Sequence, residues 1–262
     1  MAASRLYTAP SVRITPLPVS LLRFPPDPLP STLPPPSGES TLAHPFAIPP
    51  HLYNALLSVE VPITVALVYA TTATILNYYN TKRDHKPWAI SKTQAFRAFV
   101  ISHNVLLALY SAWTFIGLVN AVRISLAGAT TEHGLVGAVD ALCKISGPRG
   151  LGDAATFNAS TGSWGFTNRA MKLAADQLPD TTDVGRIWNE GLAFYGWLFY
   201  LSKFYEVFDT LIILAKGKES SFLQTYHHAG AMMCMWAGIR YMAPPIWMFV
   251  LVNSFIHTVM VG

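Results

Sequence analysis

The sequence predicts an all-α integral membrane protein, a helical bundle of about five transmembrane helices. Of its 262 residues, 52% are hydrophobic and only 12% are charged, whereas soluble domains average about 25% charged residues. The apolar residues also come in long runs, and a run of about 20 residues is long enough to cross a bilayer as a helix. The net charge of +4 lies largely in short connecting segments, which indicates membrane orientation rather than binding to nucleic acid.

Five apolar segments account for the predicted helices. They cover residues 59–79, 98–122, 191–215, 222–242 and the chain from Ile246 onward. Pro244 and Pro245 separate the last two, because proline interrupts a helix. The fifth segment is still apolar at Gly262, without the polar flank that usually ends a membrane helix. We therefore expect the sequence to be truncated at its C-terminus.

The chain is predicted to consist of a tail and a membrane domain. Residues 1–50 are rich in proline and serine and are expected to be disordered or extended. Residues 51–262 form the transmembrane domain, with a long loop at about residues 124–190. Cys143 lies in that loop and Cys234 in an apolar segment, so a disulfide between them is not expected.

Basic residues predict the orientation of the helices. They cluster in the connection after the first segment and in that after the third: Lys82, Arg83, Lys86, Lys92, Arg97, Lys216 and Lys218. The positive-inside rule places both connections in the cytoplasm. The tail and the 124–190 loop then lie in the lumen, where the sequon at Asn158 could be glycosylated.

Charged residues inside the third segment indicate a functional interior, because a charge in hydrocarbon costs several kcal/mol. Lys203, Glu206, Asp209 and Thr210 share much of one helical face. The alternative is an ion pair between Lys203 and Glu206 that only offsets their desolvation. Because two carboxylates accompany one cation, we expect one carboxylate to have a partner on another helix.

Histidines provide the second polar cluster. Gln224, His227 and His228 are spaced to share one face of the fourth segment, as Asn253 and His257 do in the fifth. Imidazole can act as a nucleophile, a general base or a metal ligand, although such residues also serve as hydrogen-bonding pairs between helices. His103 and Asn104 lie early in the second segment, and Asn104 and Ser111 face the same way; they could line the same cavity or bond across helices. Cys234 is a possible thiol nucleophile or a small apolar residue.

Taken in order, these motifs resemble the ELO family of very-long-chain fatty acid elongases, in particular its fungal members. The resemblance rests on Lys203-x-x-Glu206-x-x-Asp209-Thr210, on Gln224-x-x-His227-His228, on Asn253-x-x-x-His257 and on the His103-Asn104 pattern. It covers about residues 55–260 and implies an incomplete seven-helix barrel. Gln224 stands where many members have the first histidine of the box, and glutamine cannot carry a proton.

The resemblance implies an enzyme of the endoplasmic reticulum membrane, multi-pass, that condenses acyl-CoA with malonyl-CoA to 3-oxoacyl-CoA. It implies no cofactor and no metal. The expected partners are the two CoA substrates, membrane lipid and the reductases and dehydratase of the elongation cycle. The expected catalytic residues are His227, His228, His257, Lys203, Glu206 and Asp209. The expected substrate-binding residues are Thr210, Gln224, Asn253, His103, Asn104, Lys216 and Lys218.

Three other interpretations compete with an active elongase. A di-iron desaturase needs many imidazole ligands, and the apolar segments hold only His103, His227, His228 and His257, which excludes it. A non-enzymatic membrane protein with a buried polar cluster is the second. A truncated inactive copy is the third, because the last two helices of the family pattern are absent from the sequence. On that interpretation the 262-residue chain is unstable, and a chain extended by two helices is active.

Overall fold

The computed structural model describes residues 30–259, apart from residues 128, 149, 167, 169, 170 and 184. This part of the chain is mostly helical and has only one small sheet, which confirms the prediction of an all-α membrane protein. Helices α2 and α3, defined below, are each long and apolar enough to cross a bilayer.

The helices follow the apolar segments of the sequence. They are α1 (Pro50–Ala55), α2 (Glu60–Lys82), α3 (Gln94–Leu126), α4 (Ala129–Cys143), α5 (Trp197–Tyr205), α6 (Val207–Ala215), α7 (Phe222–Arg240) and α8 (Ile246–Val259). A short 3₁₀ helix at Ala89–Lys92 precedes α3, and a π-helical segment at Trp188–Gly196 precedes α5. Strands β1 (Ala155–Asn158) and β2 (Ser163–Phe166) form an antiparallel hairpin.

Local sequence determines where several helices begin and end. The Thr93 hydroxyl accepts a hydrogen bond from the Phe96 amide at the start of α3, and Ser221 accepts one from the Gln224 amide at the start of α7. These caps satisfy backbone N–H groups that the helix itself leaves unpaired. Pro244 and Pro245 lie between α7 and α8, as the sequence predicted.

The third predicted segment is not one continuous helix. Its π-helical part begins at Trp188, with Gly191 at φ 143°, and regular helical geometry is interrupted at Glu206 between α5 and α6. The Asp209 amide donates to the Glu206 carbonyl across this break. Helical periodicity across residues 203–210 is therefore only an approximate guide to which side chains share a face.

The segment predicted as a long loop at about residues 124–190 contains regular structure. It includes the end of α3, all of α4 and the β1–β2 hairpin. The Arg186 guanidinium, 2.7 Å from the Asp140 carboxylate, connects the end of this segment to α4. The apolar residues of this segment are thus sufficient for a helix in addition to the five predicted segments.

The core of the bundle surrounds the π-helical segment and α5. Large side chains there are fully buried, among them Trp188, Phe194, Tyr195, Phe199 and Tyr200. Helix α3 packs against α8 and the π-helical segment, and α7 packs against α2 and α5. This arrangement brings the polar faces of α3, α6, α7 and α8 toward one region.

Residues 30–57 form an N-terminal strap that packs against the bundle. Five aromatic side chains donate hydrogen bonds to its backbone carbonyls: Trp188 to Leu33, Tyr195 to Leu42, Trp197 to Tyr53, Tyr200 to Leu56 and Trp236 to Leu57. Leu33 and Ile48 are buried. Residues 30–49 thus form no helix or strand, but they pack against the bundle because their apolar side chains and backbone carbonyls find partners there. Residues 1–29 lie outside the described residues.

The two basic connections lie at the same end of the bundle. The Asn80 amide donates to the Leu214 carbonyl over 2.8 Å, and its oxygen accepts from the Trp88 indole over 2.7 Å. His85 lies 3.7 Å from Glu219. The structure thus brings Lys82, Arg83 and Lys86 near Lys216 and Lys218, as an even number of spans between them requires.

Replacing Gly117 by alanine should destabilise the bundle. A Cβ at Gly117 would overlap the Tyr195 ring, and overpacking of a core typically costs about 1–3 kcal/mol. We expect Gly117→Ala to lower the midpoint of thermal unfolding in detergent. Gly230→Ala on α7 is the matched control, since nothing lies within 4 Å of its Cβ position and alanine favours helix by up to about 1 kcal/mol. Equal midpoints for the two variants would contradict the tight contact between α3 and Tyr195.

Candidate functional site

Polar residues from four helices meet around one cavity of about 510 Å³. The lining brings together most of the predicted site residues, with Leu107 and Ile256 as apolar neighbours: Asn104 from α3, Asp209 from α6, Gln224, His227 and His228 from α7, and Asn253 and His257 from α8. Residues far apart in sequence thus form one concave surface, the usual form of a small-molecule site.

The Lys203 ammonium lies beneath this cavity and is only 1% exposed. Its Nζ donates to Glu206 Oε1 over 2.6 Å and to Asn253 Oδ1 over 2.9 Å, and it lies 3.9 Å from the centre of the Phe199 ring. The ion pair between Lys203 and Glu206, which was the alternative interpretation of these charges, therefore exists. Lys203 also connects α5 to α8 through its hydrogen bond to Asn253. A buried charge with these partners fixes the relative position of the two helices.

Glu206 also faces the histidine cluster. Its Oε2 lies 3.9 Å from His228 Nδ1, beyond hydrogen-bond distance, and that nitrogen has no hydrogen-bond partner among the described residues. The Glu206 side chain is 4% exposed and that of His228 is 9% exposed. The carboxylate therefore lies between the Lys203 ammonium and the His228 imidazole.

The second carboxylate has its partner on another helix. Asp209 Oδ1 lies 2.7 Å from His103 Nε2 on α3, the kind of arrangement expected from the excess of carboxylates. The His103 side chain is fully buried, whereas that of Asp209 is 30% exposed. His103 lies behind Asp209 and outside the cavity lining, so its contact with substrate stays a prediction.

Three other predicted substrate-binding residues also lie outside this lining. The Thr210 hydroxyl is 2.8 Å from the Tyr69 hydroxyl and 3.5 Å from the Gln224 amide, and Thr210 lines a separate apolar cavity beside α2. Lys216 and Lys218 are exposed in the connection after α6. Helical spacing predicted that Thr210 lies on the polar face of its helix, but it did not show how deeply this side chain is buried.

Tyr69 of α2 belongs to the site but was not predicted. Its ring meets the His228 ring edge-on with centroids 6.2 Å apart, and its hydroxyl pairs with Thr210. A tyrosine in an apolar helix needs a hydrogen-bond partner when it is buried, which is the signal that could have identified it.

His227 is the most accessible imidazole candidate for covalent chemistry. It is exposed and lines the cavity, whereas its neighbour His228 is buried, with ring centroids 5.6 Å apart. Cys234 is exposed and free but is not among the lining residues. Within the described residues, no group of three or more His, Cys, Asp or Glu side chains is arranged to hold a metal ion.

Comparison with known proteins gives a family and several relatives. Residues 54–262 match the family model described as "ELO: GNS1/SUR4 family". The chain is 35% identical to "Fatty acid elongase 2" of Trypanosoma brucei brucei over 78 residues, which cover 30% of this chain and 29% of that protein. It is 39% identical to "Fatty acid elongase sre1" of Dictyostelium discoideum over 92 residues, 35% of this chain and 32% of that protein.

A mammalian relative gives a similar result. The chain is 37% identical to "Very long chain fatty acid elongase 7" of Rattus norvegicus over 67 residues, 24% of each chain. The matched segments thus cover no more than 32% of the length of these curated relatives. No solved structure matches the chain.

Removal of the Lys203 charge should destabilise the protein strongly. Lys203→Met leaves Glu206 buried without its cation, and such a loss costs about 3–5 kcal/mol. We expect a large drop in the free energy of unfolding, measured by denaturant titration in micelles, and a partial recovery in the Lys203→Met/Glu206→Gln double variant. The control is the exposed Lys92→Met, expected to change stability by less than about 0.5 kcal/mol. A Lys203→Met protein as stable as the wild type would mean that Glu206 is not effectively buried.

Proposed function

The chain belongs to the ELO (GNS1/SUR4) family, and from this premise we propose that it is a 3-oxoacyl-CoA synthase of fatty acid elongation. It would join a long-chain acyl-CoA to malonyl-CoA in the endoplasmic reticulum membrane, as a multi-pass protein without a cofactor. The observation that carries this proposal is the cavity in which His227, His228 and His257 from two helices lie beside Asp209. The names of the relatives, all fatty acid elongases, support the same reaction class.

In the first half-reaction, an imidazole nitrogen of His227 attacks the thioester carbonyl carbon of acyl-CoA. A carbon–nitrogen bond forms, the carbon–sulfur bond breaks, and CoA leaves as a thiolate that is then protonated. The product is an acyl-imidazole on His227. The exposure of His227 within the cavity supports its assignment as nucleophile over the buried His228.

In the second half-reaction, malonyl-CoA loses CO₂, and the electron pair of the broken carbon–carbon bond forms an enolate. The enolate carbon attacks the acyl carbonyl, and the bond to His227 breaks. The products are 3-oxoacyl-CoA, CO₂ and a free imidazole. His228, His257 and Asp209 line the same cavity and are positioned to move protons and to stabilise charge during these steps.

Other cavity residues would orient the substrates. Asn104, Gln224 and Asn253 present amide groups that can donate and accept hydrogen bonds, which suits thioester and carboxylate oxygens. Asn253 is itself held by the Lys203 ammonium. The reductases and dehydratase of the elongation cycle would be its functional partners, because a 3-oxoacyl-CoA needs reduction and dehydration to become a saturated acyl-CoA.

A His227→Ala variant should lose condensation while remaining folded. Loss of the nucleophile is expected to lower the turnover of acyl-CoA and malonyl-CoA by at least about a thousandfold, measured as 3-oxoacyl-CoA formed in proteoliposomes. Cys234→Ala is the control and should retain near-normal turnover, because Cys234 does not line the cavity.

Two results would contradict this assignment. Loss of turnover in Cys234→Ala with retention in His227→Ala would favour a thiol nucleophile. A well-folded wild-type chain that binds neither CoA substrate and forms no product would favour a non-enzymatic membrane protein instead.

Charge reversal at Lys216 and Lys218 should weaken the use of malonyl-CoA. These exposed lysines lie at the same end as Lys82, Arg83 and Lys86, and this basic surface would attract polyanionic CoA. Lys216→Glu/Lys218→Glu is expected to raise the KM for malonyl-CoA severalfold at low salt, with less effect at high salt. An unchanged KM in a correctly inserted variant would mean that these lysines only determine membrane orientation.

A further inference from the structure

His103 and Asp209 form a pair whose two members differ sharply in environment. The His103 side chain is fully buried, and Asp209 reaches the histidine-lined cavity. The 2.7 Å contact from His103 Nε2 is the only hydrogen bond to the Asp209 carboxylate among the described residues. The position of this carboxylate in the cavity therefore depends on an imidazole that no substrate in the cavity can touch.

The surroundings of His103 leave one ring nitrogen to hold Asp209 and the other without a partner. Three aromatic rings surround the imidazole, with centroid distances of 5.9 Å for Phe99, 5.0 Å for Tyr205 and 6.4 Å for Phe208. Nδ1 is buried and has no hydrogen-bond partner within the described part of the chain. An ionised carboxylate can only accept a hydrogen bond, so Nε2 carries the proton that joins the pair.

We propose that His103 is a positioning residue that holds the Asp209 carboxylate in the cavity through its Nε2–H group. This inference rests on the proposed condensation reaction, because it assigns to Asp209 a fixed negative charge beside His227, His228 and His257. A donor outside the cavity lining suits that role, since it orients the carboxylate and leaves the cavity side of Asp209 open. The charge remains available to stabilise an imidazolium or to accept a proton in the cavity.

The rate of condensation should depend on the Nε2–H donor of His103 rather than on its aromatic ring. His103→Leu removes the N–H group while it keeps apolar volume, and we expect kcat for condensation to fall on the order of tenfold or more, as on loss of an orienting partner at other sites. The KM values should change less than about twofold, since His103 does not line the cavity. His103→Gln places an amide donor near the position of Nε2 and should restore most of the activity.

A double-mutant cycle separates this role from a purely structural one. If His103 acts through Asp209, then His103→Leu should lower kcat by less than about twofold in an Asp209→Asn background. If the factors by which His103→Leu and Asp209→Asn each lower kcat simply multiply in the double variant, the proposal is overturned. Thr114→Val is the matched control on α3, because Thr114 is fully buried and its hydroxyl has no partner among the described residues. This control should leave kcat unchanged.

A second measurement does not depend on turnover. Imidazole nitrogen NMR of the histidine-labelled protein in micelles should show a ring whose Nε2–H group is hydrogen-bonded to a carboxylate. That signal should disappear in His103→Gln and shift in Asp209→Asn. A signal insensitive to Asp209→Asn would overturn the pairing. If the wild-type protein forms no 3-oxoacyl-CoA, the proposed function fails, while this spectrum still supports or overturns the contact between His103 and Asp209.

Discussion

A buried ammonium must have partners, and the partners of Lys203 organise this bundle. Its Nζ bonds to Glu206 within the same chain segment and to Asn253 on α8. Because an unpaired charge at this depth would cost several kcal/mol, α5 and α8 are held in one relative position. The same carboxylate faces His228. The interaction that stabilises the helix packing thus also sets the electrostatic environment of the candidate site.

The site consists of a buried layer and an accessible layer. The buried layer contains His103, Lys203, Glu206 and Thr210, whose polar atoms are paired mostly with one another or with neighbouring helices. The accessible layer lines the cavity and contains Asp209 with the histidines of α7 and α8. Ionisable groups in hydrocarbon are costly unless other groups satisfy them. The buried layer satisfies this requirement and leaves the accessible layer free for chemistry.

The sequence predicted the helices and the meeting of the polar clusters better than it predicted how deeply each side chain is buried. Apolar runs and capping residues such as Thr93 and Ser221 located the helices, and three charged or histidine-rich faces were sufficient to indicate one cavity. Periodicity gives the face of a helix but not its distance from solvent, so His103 and Thr210 were assigned to substrate. The break at Glu206 and the packing of Leu33 depend on contacts between distant residues, which local pattern does not contain.

The N-terminal strap also constrains how the chain can be assembled during synthesis. Thr32 bonds to Arg240, 208 residues later in the chain, and the indole and phenol donors for the other carbonyls lie between residues 188 and 236. At about 5–20 residues per second, the strap emerges on the order of 10–40 s before its last partner. Throughout that delay, the apolar side chains of the strap lack the part of the bundle against which they pack. Docking of the strap therefore has to wait until α7 has been synthesised, although the strap itself is among the first described residues to be made.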